Sequence, residues 1–341
     1  MIQWLEWDAG AFARAVRERK PVLLSITAAW CGACHEMDRT TYADPQVTAL
    51  IRERFIPVRV DTDRRPDINE RYNLGGWPTT AFLTADGELM TGGTFVTADR
   101  MPGVLSRVAA AFEDGATRVA DTRVESDPGP QALSPDLIEA TFATFDEVHG
   151  GFGVEPKFPH TAPLHLALAL FADTGDDRWR AIVERTLDAM ADGGLWDRDR
   201  GGFHRYATRR DWQLPHREKL LETNASLLSV YAGAARLLGR SVDVDRTSAI
   251  ARFITTALRA DAGGYRGSDA GTIILIDANA AAARALLAAA SLLNDNLLAQ
   301  EALDSFERAV LACYKPGAGV AHYFDGAARV RGLLADQIET I

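Results

Sequence analysis

The sequence predicts a chain of two parts: a small domain of mixed helices and strands, followed by an all-helical array. In the first 115 residues, short apolar runs typical of buried strands alternate with segments of helical spacing. Beyond the breaker Asp127-Pro128-Gly129-Pro130, strand signals almost vanish and helical patterns follow one another. The length of 341 residues also favours two domains, at roughly 150 residues each. We therefore predict a first domain over 1–115, a linker over 116–133 and a helical domain over 134–341.

The elements of the first domain follow from local signals. Pro21 ends the first helix, and the apolar run over 22–26 after it is typical of a buried strand. Ala85-Asp86-Gly87-Glu88 predicts a hairpin turn. The pattern predicts helices at 9–20, from residue 31, 45–55, 67–72 and 99–112, and strands at 22–26, 56–60, 79–84 and 89–95.

In the second domain, a Gly-Gly-aromatic element recurs every 50–60 residues or so, which is typical of an array of helical hairpins. The alternative is a set of unrelated tight turns, each with one packed ring. The copies are Gly150-Gly151-Phe152, Gly201-Gly202-Phe203, Gly263-Gly264-Tyr265 and a weaker Gly317 to Tyr323. Helices are predicted at 135–148, 162–172, 178–191, 220–238, 244–259, 277–293 and 296–313. Residues 332–341 begin another helical pattern, so we expect the array to be incomplete.

Composition and charge limit the partners and the cellular compartment that we expect. The net charge of −10, without a basic run, argues against nucleic-acid and anionic-membrane partners. The N-terminus lacks the pattern of a secretory signal, and the most apolar run, Ala278 to Leu293, is interrupted by Arg284. Three cysteines, two of them three residues apart, suit a reducing compartment. We expect a cytoplasmic protein that does not span a membrane.

A Cys-x-x-Cys pair, Cys31-Gly32-Ala33-Cys34, follows the first predicted strand and opens the next helix. Such pairs bind metals or exchange disulfides. Zinc takes four ligands, and the chain has no second pair of this kind. A helix N-terminus carries partial positive charge and free N–H groups, which stabilise a thiolate at Cys31. We predict a redox-active dithiol in which Cys31 is the nucleophile and Cys34 resolves the mixed disulfide.

The segment Gly75-Gly76-Trp77-Pro78-Thr79-Thr80 precedes a later strand. We predict a cis-proline at Pro78 beside the dithiol, where a backbone edge can dock an extended substrate; a simple turn proline is the alternative. Trp30, Trp77 and Pro78 are the substrate-binding residues expected here. Together with Trp30-Cys31-Gly32-Ala33-Cys34, this segment resembles the thioredoxin superfamily over residues 1–115. That resemblance implies a thioredoxin-like fold and a protein disulfide as partner.

One position departs from that superfamily. Thioredoxins carry a buried aspartate six residues before the first cysteine, and this chain has Ser25 there. A serine cannot act as the carboxylate base that helps deprotonate the resolving thiol. His35 or Glu36 are the nearby substitutes, although the alternative for each is a solvated position on the helix. We therefore expect a dedicated redox module rather than a general disulfide reductant.

A narrower resemblance spans nearly the whole chain. The chain resembles the DUF255, or YyaL-like, family, the group of spermatogenesis-associated protein 20, in which a thioredoxin-like domain precedes an α/α-toroid. The stretches that carry it are Cys34-His35-Glu36-Met37, Phe55 to Asp61, Arg65-Pro66-Asp67, Gly75 to Pro78, Gly150 to Gly153, Pro156 to His160, Gly201 to Tyr206, Pro215 to Lys219 and Leu333 to Gln337.

The resemblance implies a second domain related to N-acylglucosamine 2-epimerases and six-hairpin glycosidases. A toroid gathers its inter-helix loops around one funnel mouth, where His, Glu and Asp could perform acid–base chemistry on a sugar-like ligand. The residues expected there are Lys157, His160, His204, His216, Glu218, Lys219 and Asp269. We predict no cofactor and no metal, although His204, His216 and Glu218 are the residues that a metal could use. The alternatives to an oxidoreductase are a carbohydrate-active epimerase or hydrolase and a non-catalytic scaffold.

Overall fold

The computed structural model describes residues 2–115 and 135–341. The chain divides into two units, Met1–Asp127 and Pro128–Ile341. The predicted linker over 116–133 lies outside the described residues.

Nine elements build the described part of the first unit. They are α1 (Ala9–Glu18), β1 (Val22–Thr27), α2 (Gly32–Arg39), α3 (Pro45–Arg54), β2 (Ile56–Asp61), α4 (Pro66–Tyr72), β3 (Thr79–Leu83), β4 (Leu89–Gly93) and α5 (Met101–Glu113). Asp8 and Asp44 cap α1 and α3 by accepting hydrogen bonds from first-turn amides.

The strands form one sheet in the order β2-β1-β3-β4. β1 runs parallel to β2 and antiparallel to β3, and β3 pairs with β4 as the predicted hairpin. Because successive strand residues point to opposite faces, Leu23 packs with side chains of α3 and α5, whereas Leu24 packs with those of α1 and α4. A sheet covered by helices on both faces is the thioredoxin-like arrangement that the motifs predicted.

The second unit is mainly helical. Its described helices are α6 (Pro135–Phe142), α7 (Ala162–Thr174), α8 (Asp177–Asp192), α9 (Leu221–Leu238), α10 (Ser241–Ala257), α11 (Ile276–Leu293), α12 (Asn296–Cys313) and α13 (Leu334–Glu339). Its strands are β5 (Tyr206–Ala207), β6 (Pro215–His216), β7 (Ile274–Leu275), β8 (Tyr314–Lys315), β9 (Gly319–Phe324) and β10 (Ala328–Arg331). α9 packs against α10 and α11, α11 against α12, and α7 against α8. Among the described helices, α11 alone is long and apolar enough to cross a membrane, and 56% of it is buried in the core of this unit.

The first three Gly-Gly-aromatic loops are built alike. In each, the ring residue closes an isolated β-bridge: Phe145 with Phe152, Trp196 with Phe203, and Arg259 with Tyr265. The glycine pair of each loop has positive φ. A Cβ on Gly202, for example, would lie 2.6 Å from the ring of Phe253. The recurring element is therefore a structural unit that joins successive helices.

Two predictions for this unit were wrong. The helix predicted over 135–148 ends at Phe142, because Phe145 already belongs to the first loop. The weaker fourth copy, Gly317 to Tyr323, is not a loop of this kind. It contains β9, which pairs with β7, β8 and β10 and so makes a small sheet that local spacing did not indicate.

Candidate functional site

The dithiol lies at the N-terminus of α2. Cys31 is the N-cap residue, and its Sγ accepts a hydrogen bond from the Cys34 amide at 3.1 Å. The two cysteines form a disulfide with Cα atoms 5.2 Å apart. Both sulfur-bearing residues are nearly buried, whereas Gly32 and Ala33 between them are exposed. The pair can therefore exist as a disulfide, and reduction would leave Cys31 facing the positive end of the helix.

Two tryptophans flank the pair. The peptide bond between Trp77 and Pro78 is cis, as predicted. The ring of Trp77 contacts that of Trp30, the residue before Cys31, and its Nε1 donates to Asn69 Oδ1 at 3.0 Å. The Trp30–Trp77 contact joins the dithiol segment to the cis-proline segment. Trp30 packs against the two cysteines and contacts Trp77, whereas Pro78 itself is buried.

Ser25 lies on β1, opposite Thr80 of β3, and is fully buried. The Tyr42 hydroxyl lies near Ser25 and Thr80, and burial raises the pKa of Tyr42. Neither Ser25 Oγ nor Tyr42 OH makes a hydrogen bond in the described part of the chain. This buried position therefore holds hydroxyl groups instead of a carboxylate.

The two expected substitutes for that carboxylate lie elsewhere. His35 is exposed, and its Nε2 is 2.8 Å from the carbonyl oxygen of Ala29. Glu36 is exposed as well and pairs with Arg39 at 2.7 Å. Both are therefore solvated positions on α2, which was the alternative stated for each residue.

In the helical unit, a row of rings crosses the short β5–β6 hairpin. Tyr206 stacks on His216, with centroids 5.1 Å apart and planes inclined by 17°. Tyr206 also contacts Phe158 at 4.9 Å, and Phe158 contacts His160 at 6.2 Å. His216 Nδ1 is enclosed and has no hydrogen-bond partner among the described residues. Two of the predicted histidines are thus brought onto one aromatic row.

The remaining candidates connect to this hairpin through the backbone. His204 Nδ1 is 2.9 Å from the Arg217 carbonyl, and burial lowers the pKa of His204. The Glu218 carboxylate lies 3.7 Å from Arg205. Asp269 Oδ1 accepts from the Lys219 amide at 2.9 Å, and its own amide donates to the Lys219 carbonyl. The structure therefore brings His204, Glu218, Lys219 and Asp269 onto contiguous backbone segments.

The ammonium groups of Lys157 and Lys219 are bound by other groups of the protein. Lys157 is fully buried and donates to Asp146 Oδ2 at 2.7 Å, and Arg210 binds the same carboxylate. Lys219 donates to Asp197 Oδ2 at 2.6 Å. These contacts give both ammonium groups a structural role inside the repeated loops.

Sequence reasoning missed the partners of these lysines. Asp146 and Asp197 each stand four residues before a Gly-Gly pair, and this shared spacing was the available signal. Asn224 and Asn279 were missed as well. Each binds the backbone N–H and C=O of the ring residue in its loop, Phe203 and Tyr265 respectively.

A third group of polar side chains was also not predicted. Ligand atoms of Asp277, His322 and Asp336 lie within 4.8 Å of one another. His322 Nδ1 is 2.9 Å from Asp336 Oδ1, and both residues are buried. Burial raises the pKa of Asp277, and the nearby imidazole opposes that shift. Of the described side chains, these three are the set with the composition and spacing of metal ligands.

Comparisons with known proteins agree with the two-part structure. Residues 1–125 match the family model Thioredox_DsbH, described as a protein of unknown function, DUF255. Human spermatogenesis-associated protein 20 is 29% identical over 303 residues, which cover 79% of this chain and 38% of that protein. The chain carries a DUF255 domain and is homologous to spermatogenesis-associated protein 20. It spans about two-fifths of the length of that relative.

Two further similarities concern the single units. The thiol:disulfide interchange protein DsbD of Citrobacter koseri is 32% identical over 83 residues, or 24% of this chain and 15% of that protein. A sugar epimerase from a ruminal bacterium has a TM-score of 0.50 at 14% identity, over 57% of each chain. At that identity the likeness shows the fold alone. The DUF255 domain is thus followed by a helical unit with an epimerase-like, α/α-toroid fold.

Proposed function

We propose that the DUF255 domain of this chain is a dithiol–disulfide oxidoreductase, in which Cys31 attacks and Cys34 resolves. One observation carries the proposal: the bonded Cys31–Cys34 pair at the first turn of α2, with Cys31 Sγ accepting the Cys34 amide. A sulfur in this position is stabilised as a thiolate when the pair is reduced, and the thiolate is the attacking species.

The reaction balances with a protein disulfide as substrate and an external thiol as reductant. The Cys31 thiolate attacks one substrate sulfur, forms a mixed disulfide and releases the other substrate sulfur as a thiolate, which takes up a proton. Cys34, after losing its proton, attacks Cys31 Sγ, releases the second substrate thiol and regenerates the Cys31–Cys34 disulfide. Two electrons pass to the substrate, and the external thiol then reduces the pair again.

Trapping tests this proposal. In Cys34→Ser the mixed disulfide cannot be resolved, so partner proteins should accumulate on Cys31 and be released by dithiothreitol. Cys31→Ser is the matched control and should trap none. Both variants are made in a Cys313→Ser background, since the third cysteine is a buried free thiol. Equal trapping by the two variants, or none by Cys34→Ser, would contradict the assigned roles.

For the helical unit we propose binding of a sugar-like ligand at the aromatic row of Phe158, Tyr206 and His216. Half-buried aromatic rings can pack against the apolar faces of sugar rings, and His216 Nδ1 is an enclosed polar atom without a partner among the described residues. The epimerase-like fold supports the same choice. A carbohydrate-active enzyme would convert the bound sugar, whereas a scaffold would release it unchanged.

A calorimetric screen with cellobiose, mannose and N-acetylglucosamine tests the ligand class. Binding should be lost in His216→Ala and retained in His165→Ala, which alters a histidine on α7. Product analysis by NMR then separates an enzyme from a scaffold. If none of the sugars binds the intact chain, the sugar proposal fails and the oxidoreductase proposal is unaffected.

A further inference from the structure

The side chains of Asp277, His322 and Asp336 meet although they come from three separate elements. Asp277 lies in the first turn of α11, His322 on β9 and Asp336 in the first turn of α13. α13 is fixed to β9 by Gln337, whose side-chain amide exchanges two hydrogen bonds with the Val320 backbone. Two hydrogen bonds outside the cluster therefore hold the helix that carries Asp336 against the strand that carries His322.

Only one of the two carboxylate oxygens of Asp336 is hydrogen-bonded among the described residues. Its Oδ1 accepts from His322 Nδ1, while Oδ2 is enclosed and has no hydrogen-bond partner among the described residues. The residue is 1% exposed. A buried carboxylate oxygen without a partner is costly, and native structures resolve such cases with a donor, a water or a cation.

The charge balance of the cluster also indicates that a positive charge is missing. Two carboxylates face one imidazole, and neither forms an ion pair with a lysine or arginine in the described part of the chain. Arg331, nearby on β10, donates instead to the Gly319 carbonyl. The cluster is therefore short of positive charge in a largely buried setting, where an unbalanced charge is most unfavourable.

We propose that Asp277, His322 and Asp336 bind one divalent first-row metal ion. Two carboxylates and one imidazole are oxygen and nitrogen ligands, a set that suits Mn²⁺ and Zn²⁺. Around an ion at 2.0–2.2 Å, ligand atoms stand about 3–4 Å apart, so atoms within 4.8 Å of one another need only a small contraction. Three protein ligands leave coordination positions open, and Asp277 is the least buried of the three.

Metal binding is measured on the intact, chelator-stripped and oxidised chain, because the Cys31–Cys34 disulfide then cannot bind Zn²⁺. Calorimetry with ZnCl₂ and electron paramagnetic resonance with MnCl₂ should show one ion per chain. Affinity should fall at least about tenfold in Asp277→Asn and in His322→Gln. Asp325→Asn is the matched control, since it alters an exposed carboxylate beside β9 that pairs with Arg329.

The fold of each variant is checked by circular dichroism and melting temperature. If His322→Gln does not fold, Asp277→Asn decides alone, because Asp277 is the least buried of the three. Absence of binding by the folded parent chain overturns the proposal. So does unchanged affinity in either folded variant, because a metal held elsewhere would not respond to these residues.

Discussion

The indole ring of Trp30 lies edge-on against that of Trp77, with centroids 5.2 Å apart and planes inclined by 73°. The contact joins the residue before Cys31 to the residue before the cis-proline. Trp77 is nevertheless 36% exposed, so one part of its ring holds Trp30 and another faces solvent. An exposed ring beside a dithiol is available to the substrate that the dithiol would reduce.

The effect of Trp77→Ala on the free-energy barrier to reduction of a protein disulfide should therefore exceed its effect on the free energy of unfolding. An aromatic contact contributes about 0.5–1.5 kcal/mol, so the second-order rate should fall roughly two- to tenfold. The measurement is stopped-flow turnover of a model protein disulfide with a thiol reductant. Val16→Ala, which removes an exposed apolar side chain from α1, should leave the rate unchanged. Equal rates in Trp77→Ala and the parent chain would place the substrate elsewhere.

Ser25→Ala should change the free energy of unfolding by less than about 1 kcal/mol, or raise it. Its buried hydroxyl makes no hydrogen bond in the described structure, so the substitution removes a polar group that gains nothing from burial. Thr79→Ala is the matched control. Thr79 Oγ1 donates to the Gly76 carbonyl at 2.7 Å, and its removal should cost about 1–3 kcal/mol. Urea unfolding measures both, and a large loss in Ser25→Ala would show that its hydroxyl is paired.

The first unit could be predicted from sequence because its signals are local. Pro21, the apolar run after it and the hairpin turn each act within a few residues, and the cis-proline follows from the motif around Pro78. The second unit was harder to predict from sequence. β9 pairs with β8 and β10 beside it in the chain and with β7, whose residues lie about 50 positions earlier, and the spacing within one segment carries no trace of the pairing with β7.

Asn224→Ala and Asn279→Ala should each destabilise the helical unit by about 2–4 kcal/mol. Asn224 accepts from the Phe203 amide at 2.7 Å and donates to the carbonyls of Phe203 and Leu220. Asn279 repeats this pattern on Tyr265 and Leu275. Truncation leaves several buried backbone groups without partners and a cavity beside them.

Urea unfolding followed by far-ultraviolet circular dichroism tests this pair of variants, because helices dominate the second unit. Asn296→Ala, at the exposed start of α12, is the control. Similar losses at Asn224 and Asn279 would confirm that the two loops are equivalent units. A loss at one position alone would show that the repeat is one of sequence and not of energetics.

The candidate functional residues also fall into two groups: those that neighbouring sequence identifies and those that depend on contacts with distant segments. Cys31, Cys34 and Pro78 could be assigned from sequence because each is defined by its neighbours. His322 and Asp336 are 14 residues apart, on a strand and a helix, and they meet where Gln337 joins that helix to the backbone of Val320. Lysine is a common ligand-binding residue, so Lys157 and Lys219 were predicted to contact a ligand. Their partners are Asp146 and Asp197 of the repeated loops, and residue type alone does not reveal that contact.

The Asp197–Lys219 pair should make the stability of the helical unit depend on acid. Burial raises the pKa of Asp197, but the hydrogen bonds from Lys219 and from the amides of Arg200 and Asp199 outweigh it and lower that pKa to about 2. In the unfolded chain the pKa is about 3.9. The pair therefore stabilises the fold above about pH 4, and this contribution is lost as the pH falls towards 2. Because Asp197 is partly exposed, we expect about 1–2 kcal/mol.

Asp197→Asn should remove this dependence. Hydrogen-exchange protection of peptides over 195–220, corrected for intrinsic rates, should fall between pH 5 and pH 2.5 in the parent chain and change less in the variant. Asp199→Asn, in the same loop but exposed, should behave like the parent chain. At pH 7 the variant should already be less protected, because Lys219 is 2% exposed and would lose its carboxylate partner. If the parent and Asp197→Asn lose protection in parallel on acidification, another carboxylate controls the loop, and Asp146 is the next to test.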